Sequence, residues 1–203
     1  MTRSLSDDVG CDTEGGLYSI GHSNRAISEF ISLLQQNGIQ LLADVRGIPK
    51  SRNNPQFGQD VFPASLADSN IEYVWVEKLG GRPLKAKVDA ARAEFNIPSG
   101  AVINGFWQVT GFRRYADYAM GSPFHMGLLE LMELGREKRV AFMCSEAIPW
   151  RCHRRIISDY LVVYGSPPLE IISGATPKPH PLTSAAVVHQ TPWRYLTYPA
   201  SEI

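Results

Sequence analysis

Residues Ile39–Val45 read IQLLADV, a nearly continuous apolar run that ends beside the charged pair Asp44 and Arg46. An apolar run without strict alternation is typical of a strand that is buried on both faces in a parallel sheet. Comparable runs predict further strands at Leu17–Gly21, Ile71–Val76, Arg139–Cys144 and Leu169–Ile172. The sequence therefore predicts a sheet with IQLLADV among its buried strands.

Amphipathic segments separate these runs. Ile27, Phe30, Ile31 and Leu34 recur at helical spacing before Asn37-Gly38, and Ile156, Ile157, Tyr160, Leu161 and Tyr164 do so before Gly165. Further helices are predicted at Pro63–Asp68, Phe112–Met120 and Met126–Leu134, the last two separated by Gly121-Ser-Pro123, while residues 83–111 give no clear pattern. This alternation predicts an α/β fold, a single layered domain with a mainly parallel sheet and flanking helices in a Rossmann-like arrangement.

The composition predicts three segments. Residues 1–16 are polar and glycine-rich, and we expect a disordered leader there. Residues 17–173 form the predicted α/β domain, and residues 174–203 are a proline- and histidine-rich tail expected to run over the surface. A chain of 203 residues suits one domain of this size.

Charge and cysteine content exclude several classes of protein. Lysine plus arginine equals aspartate plus glutamate, at 20 each, so no overall field attracts DNA or an anionic membrane, and polyanion binding must be local. No apolar run approaches the roughly 20 residues that span a bilayer. Three cysteines do not make a disulfide framework. We expect a cytoplasmic protein without a membrane partner. The sequence gives only weak support for a nucleic-acid partner.

Four predicted strands are followed by polar side chains able to do chemistry. They precede Gly21-His22-Ser23, Asp44-Val-Arg46, Gly80-Gly81-Arg82 and Cys144-Ser-Glu146. Ligands of open parallel sheets bind outside the carboxyl ends of the strands. The sequence therefore predicts one shared cleft at this edge.

The segment Cys144–Arg155, CSEAIPWRCHRR, forms one wall of that cleft. A helix N-terminus and nearby cations lower a thiol pKa. On this ground Cys152, beside His153 and two arginines, has the better electrostatic setting, whereas Cys144 has the better position at the strand end. One of the two is the predicted nucleophile, with Glu146 and His153 as its acid–base partners.

Familiar cysteine motifs fit this segment poorly. Six residues separate Cys144 from Arg151, and the loop lacks the glycines of a phosphate-cradling loop. Cys144, Cys152, His153 and His22 offer four ligand atoms, but Cys-x7-Cys-His is not a standard zinc knuckle, so neither a metal nor another cofactor is predicted. A reversible disulfide between Cys144 and Cys152 stays open.

The other polar residues each allow two interpretations. Ser23 or Asn24 caps the first helix or binds substrate, and His22 is a general base or a hydrogen-bond partner of Asp44. Asp44 and Arg46 form an ion pair, or Asp44 orients His22 or His153 while Arg46 holds an anion.

The arginines and the aromatic residues also allow two interpretations each. Arg151, Arg154 and Arg155 share one helix face, which is either a solvated basic face or an anion site. Tyr115 and nearby aromatic residues fill the core or stack a base.

The motifs IGHSN, LLADVRGIPKSRNNPQF, LGGR, FRRYADYAM and MCSEAIPWRCHR together resemble the bacterial and archaeal family catalogued as domain of unknown function 488, over about Leu17 to Ile172. The resemblance implies a small cytoplasmic α/β protein whose motif residues suggest an enzyme. The motif positions here are His22, Ser23, Asp44, Arg46, Gly80, Gly81, Tyr115, Cys144, Glu146, Cys152, His153 and Arg154.

Two functions of different class follow. The first is an enzyme, a cysteine-dependent hydrolase or transferase, that acts on a small anionic substrate such as a nucleotide or a phosphorylated metabolite, with Arg46 and Arg154 holding the anion. The alternative is a phosphate- or nucleic-acid-binding module in which the cysteines are structural.

Overall fold

The computed structural model describes residues 15–190 and 192–200. Its strands are β1 (Gly16–Gly21), β2 (Leu41–Asp44), β3 (Glu72–Trp75), β4 (Arg139–Cys144), β5 (Leu169–Ile171), β6 (Lys178–Pro179), β7 (Val187–His189) and β8 (Tyr195–Thr197). Its α-helices are α1 (Ile27–Gln36), α2 (Phe62–Ala67), α3 (Lys85–Ala93), α4 (Thr110–Ala119), α5 (Ser122–Glu137) and α6 (Arg154–Val163). Short 3-10 turns occupy Pro55–Phe57, Glu77–Leu79 and Pro149–Arg151.

A six-stranded sheet in the order β3-β2-β4-β1-β5-β6 forms the centre of the structure. The first five strands of this order run parallel, and β6 is antiparallel to β5. The predicted α/β fold with a mainly parallel sheet is confirmed. Since parallel strands end at the same edge, the segments after β1, β2 and β4 come together there.

Both faces of the sheet are covered, as the continuous apolar runs predict. Val140 and Phe142 of β4 join one core cluster, with residues of α4, α5 and α6. Ala141 and Met143 point to the other cluster, with residues of α1 and α2. Burial on both faces explains why these strands do not alternate between apolar and polar residues.

Two helices differ from the sequence prediction. Helix α5 begins at Ser122 rather than at Met126, because Gly121 is its N-cap and Pro123 lies in the first turn. Proline is well accommodated there, since the first N–H groups of a helix have no intrahelical acceptor. Within the unassigned residues 83–111, α3 forms on a segment of alanine and charged residues that buries only Val88 and Ala91.

The C-terminal segment packs against the domain. Strand β6 pairs with β5, and β7 and β8 form a separate two-stranded sheet. Leu196 and Tyr198 are completely buried in the core cluster that contains α6. Of the predicted leader, residues 1–14 lie outside the described residues, and Gly16 begins β1. No helix within the described part of the chain is both long enough and apolar enough to cross a membrane.

Candidate active site

The ends of β1 and β4 lie side by side, which brings two of the predicted motifs together. Gly21 is in register with Cys144. Beyond the strands the two chains stay paired, because the N–H groups of His22 and Ser23 donate to the carbonyls of Cys144 and Ser145 at 3.0 Å each. The motif after β1 is thereby fixed against the motif after β4.

Cys144, Cys152 and His153 form a compact group that we call the thiol–imidazole cluster. Nδ1 of His153 lies 3.8 Å from Sγ of Cys144 and 3.6 Å from Sγ of Cys152. The three ligand atoms all lie within 4.8 Å of one another. Both cysteines are buried and unoxidised, and His153 is half-buried. The two cysteines and the histidine are therefore close in space as well as in sequence.

The imidazole of His153 is held in one orientation. Its Nε2 donates to the carbonyl of Val45 at 2.9 Å, which turns Nδ1 towards the sulfurs. Gly81 leaves room for the ring, because a Cβ at this position would lie 2.7 Å from Nδ1. The ring of Tyr115 lies edge-on to the imidazole with a centroid separation of 4.9 Å, and its hydroxyl donates to the carbonyl of Leu79 at 2.7 Å. Gly81 and Tyr115 therefore shape the cavity for His153.

The two thiols differ in acidity. The hydrogen bond from Cys152 holds the pKa of Cys144 well below its usual range, aided by His153 and Arg154 and against the effect of burial. Burial raises the pKa of Cys152, and the neighbouring Cys144 raises it further. The expectation that Cys152 has the better electrostatic setting is wrong, because Cys152 is the hydrogen-bond donor of the pair. Cys144 is therefore the more acidic thiol of the pair.

Arg154 lies inside the protein. Its side chain is completely buried, with Nη1 donating to Oγ of Ser19 at 2.9 Å and Nη2 to the carbonyls of Glu146 and Ala147 at 2.5 and 3.4 Å. Nε has no partner. The prediction of a shared basic face is wrong for Arg154, because its side chain reaches from the start of α6 back to β1. Its acceptors are neutral, so its positive charge is not matched by a carboxylate among the described residues.

Asp44 and Arg46 form the ion pair that was one of the two predictions. Nε of Arg46 donates to both carboxylate oxygens of Asp44 at 2.9 and 3.0 Å, and its Nη2 donates to Oδ2 at 2.5 Å. The hydroxyl of Tyr73 donates to the same carboxylate at 2.8 Å. The alternative that Asp44 orients His22 or His153 is wrong in this structure, because Arg46 and Tyr73 occupy its oxygens and Val45 supplies the acceptor for His153.

His22 presents one unused nitrogen. Its ring is buried and stacks on Phe57 with a centroid separation of 4.2 Å, and its Nδ1 donates to the carbonyl of Ser23 at 2.8 Å. Burial lowers the pKa of His22, so the ring is neutral and Nε2 carries a lone pair. Nε2 has no hydrogen-bond partner among the described residues.

The predicted cap of α1 is absent. Ala26 occupies the N-cap position and no side chain caps the helix. Ser23 instead adopts a left-handed backbone conformation with φ of 49°, and its hydroxyl donates to Oδ1 of Asn24 at 3.3 Å. The helix starts too late for Ser23 or Asn24 to reach its first N–H groups, so both side chains are available to the surface.

A polar groove of about 560 Å³ lies beside these motifs. His22, Ser23 and Glu146 contribute to its wall, together with the cations Lys50 and Arg52. The rest of the lining consists of hydroxyl and amide side chains: Asn24, Ser51, Asn53, Asn54 and Ser145. Ser145 joins this groove to the cluster, since it follows Cys144 directly. Sequence reasoning missed Lys50, Asn53 and Asn54, whose only signal is the polar composition of the loop after β2.

The predicted residues therefore fall into separate groups. Cys144, Cys152 and His153 form the cluster, and His22, Ser23 and Glu146 line the groove. The remainder support them: Gly80 lies against Gly47, Gly81 and Tyr115 border His153, and Asp44, Arg46 and Arg154 are held by internal partners.

A model of the family described as "Domain of unknown function DUF488" matches residues 26–161. The match spans more than half of the chain and confirms the family resemblance carried by the motifs. No curated protein and no solved structure matches the chain.

Proposed function

This chain belongs to the DUF488 family, and we propose that it is an enzyme in which Cys144 is the nucleophile for a small anionic substrate bound at the carboxyl edge of the sheet. The observation that carries this proposal is the placement of His153. Its Nδ1 lies 3.8 Å from Sγ of Cys144 while its Nε2 donates to Val45. A nucleophile beside a base that is itself oriented by a third group is the general arrangement of covalent catalysis.

His153 is the acid–base partner of Cys144 in this proposal. Because Nε2 carries a hydrogen for the carbonyl of Val45, Nδ1 of the neutral ring has the lone pair that accepts the thiol proton. The resulting imidazolium donates from both nitrogens, to Val45 and to the thiolate. The thiolate then attacks the substrate, a bond to sulfur forms, and the departing group takes the proton from Nδ1. Water or a second acceptor releases the product, as in a hydrolase or a transferase respectively.

The charge of Arg154 supports a thiolate at Cys144. A completely buried guanidinium without a carboxylate partner is costly, because the charge has lost its hydration. The Cys144 thiolate supplies the missing negative charge, and the positive charge of Arg154 lowers the pKa of Cys144. The charges of Asp44 and Arg46 neutralise each other, so this pair does not supply the negative charge that Arg154 lacks.

The groove is the proposed substrate site. Lys50 and Arg52 are exposed there and attract an anion, whereas Arg46 and Arg154 are occupied by internal acceptors. The hydroxyl and amide side chains of the groove suit a nucleotide or a phosphorylated metabolite, and its volume lies in the range of small-molecule sites. Glu146, which lines the groove, is positioned to contact such a substrate. A reducing compartment, the cytoplasm, is part of this proposal because the reaction needs a free thiol.

The test is the rate of alkylation of each cysteine by iodoacetamide, followed by mass spectrometry with a chelator present. We expect Cys144 to react faster than Cys152, and His153→Asn to slow Cys144 about 10-fold or more, because the thiolate loses its partner. His189→Asn is the matched control, since His189 lies in β7 and bonds to Thr197. Equal rates for the two thiols, or an unchanged rate in His153→Asn, would contradict the proposal.

The burial of both thiols favours a second candidate, a phosphate- or nucleic-acid-binding module with structural cysteines. Cys144 and Cys152 are only 8% and 4% exposed. In that case both thiols are inert, yet phosphate still raises the melting temperature by mass action through Lys50 and Arg52. A steep dependence of oligonucleotide affinity on salt would identify nucleic acid as the partner, and a shallow one a small ligand.

A further inference from the structure

We propose that Cys144, Cys152 and His153 are three protein ligands of a Zn²⁺ site, and that Zn²⁺ bound there switches off the nucleophile. The binding site stands on the geometry of the cluster alone. The switching rests on the proposed function, because it requires that the thiolate of Cys144 is the reacting group.

The two nitrogen–sulfur distances in the cluster match those of a tetrahedral zinc site. With Zn–S bonds of about 2.3 Å and Zn–N bonds of about 2.0–2.1 Å, neighbouring ligand atoms of a tetrahedron lie about 3.5–3.8 Å apart. The distances from Nδ1 of His153 to the two sulfurs are 3.8 and 3.6 Å. All three ligand atoms lie within 4.8 Å of one another. A zinc ion thus fits between them after small side-chain adjustments.

The surroundings of His153 match those of a metal-binding histidine. Histidine ligands usually donate their second ring N–H to a carboxylate or a backbone carbonyl, which fixes the tautomer. Nε2 of His153 donates to the carbonyl of Val45 at 2.9 Å, so Nδ1 has the lone pair that a metal needs. Gly81 leaves the space that the ring requires in this orientation. The outer partner is therefore already in place.

The donor set selects the metal. Two thiolates and one imidazole favour zinc over magnesium or calcium, which prefer oxygen ligands. Three protein ligands leave the fourth position of the tetrahedron for water, as in zinc sites that exchange a ligand. Binding of Zn²⁺ by two thiolates and a neutral imidazole releases to solvent the proton of the Cys152 thiol and the one proton that Cys144 and His153 share.

Zinc and substrate would compete for the same electron pair. The sulfur lone pair that attacks the substrate is the one that bonds to zinc, and Nδ1 of His153 cannot accept or return a proton while it is a ligand. Zinc binding therefore blocks both catalytic groups at once, and its removal restores them. The cluster is a nucleophile without metal and an unreactive zinc site with it.

The experiment uses Co²⁺ as a spectroscopic probe for zinc in the full chain. We expect one Co²⁺ per chain, with the thiolate-to-metal charge-transfer absorption and the intense visible bands of tetrahedral cobalt, both displaced by Zn²⁺. Cys144→Ser, Cys152→Ser and His153→Asn should each weaken binding by more than the roughly 10–100-fold typical of losing an outer partner. Cys11→Ser, which changes the third cysteine, should leave affinity unchanged. Absence of the charge-transfer band in the unmodified protein, or its loss in Cys11→Ser, would overturn the site.

A second measurement on the unmodified protein does not depend on how the variants fold. Stoichiometric Zn²⁺ should slow alkylation of Cys144 at least about 10-fold, and a chelator should restore the rate, because a zinc-bound thiolate is a weaker nucleophile. Rapid alkylation that zinc leaves unchanged would overturn the inference while the proposed function stands. Zinc binding to a protein whose metal-free Cys144 is inert would overturn the switch and the proposed function together, and would leave a structural metal site.

Discussion

Two histidines contact α6 at different points along the helix and differ in how their ring nitrogens are used. His153 precedes the first turn, where one nitrogen donates to Val45 and the other faces two sulfurs. His180 contacts the middle of the helix, where Nε2 donates to Asp159 at 3.0 Å and Nδ1 donates to Glu170 of β5 at 2.9 Å. His153 therefore has one ring nitrogen available for proton transfer, whereas both ring nitrogens of His180 are used in hydrogen bonds to carboxylates.

The partners explain this difference. Ionised carboxylates only accept hydrogen bonds, so a ring between two of them must donate from both nitrogens and is an imidazolium. Although burial opposes the charge, the hydrogen bonds to Asp159 and Glu170 raise the pKa of His180 to about 9. A sulfur is donor as a thiol and acceptor as a thiolate, so Nδ1 of His153 is free to exchange a proton. We infer that His180 is structural and His153 is reactive.

Removing each ring in turn should separate the structural histidine from the reactive one by the stability that each contributes. His180→Ala leaves two carboxylates buried beside each other without a cation, and it should lower the free energy of unfolding by about 3–5 kcal/mol. His153→Ala should cost about 1–2 kcal/mol, because it leaves the carbonyl of Val45 without its donor. Urea denaturation of both variants measures the two losses. Equal losses would mean that His153 has a structural role as large as that of His180.

The pH dependence of stability tests whether His180 is protonated in the folded protein. His180 has a pKa of about 9 in the folded protein against 6.5 for an ordinary histidine. Because the folded state binds this proton more tightly, the contribution is complete below pH 6.5 and is lost as pH rises through about 9. The difference corresponds to about 3 kcal/mol. Urea denaturation from pH 6 to 10 should show this loss in the unmodified protein.

The control is the same series in His180→Ala, because other groups also titrate in this range. Subtracting the two curves isolates the contribution of His180. A difference between the curves that stays constant with pH would show that folding does not raise the pKa of His180.

The sheet could be predicted because each buried strand is recognisable from its own run of apolar residues. The runs at β2 and β4 are apolar along their length, and burial on both faces is the simplest packing that such strands allow. The start of α5 was missed for a local reason as well, since Gly121-Ser-Pro123 contains residues that end helices as often as they begin them. Pro123 is compatible with the first turn, and sequence alone does not say on which side of it a helix lies.

The site could be predicted only in part, because its partners come from distant segments. Cys144, Cys152 and His153 are close in sequence, so their grouping was visible. That Val45 orients the imidazole and that Tyr73 occupies Asp44 depend on the register of neighbouring strands. The ion pairs of His180 join three segments, and nothing in the composition of the tail indicates them.

A substitution at Gly81 tests whether the fixed orientation of His153 affects the reactivity of Cys144. In Gly81→Ala the added Cβ would lie 2.7 Å from Nδ1 and 2.9 Å from Cε1, and the ring cannot move freely because Val45 holds Nε2. The displaced nitrogen should slow alkylation of Cys144 about 10-fold, equal to about 1.4 kcal/mol in the barrier. Gly111→Ala is the matched control, since a Cβ there meets nothing within 4 Å. If both variants react like the unmodified protein, the imidazole tolerates displacement, and the contrast between a reactive and a structural histidine must rest on the charge of their partners rather than on orientation.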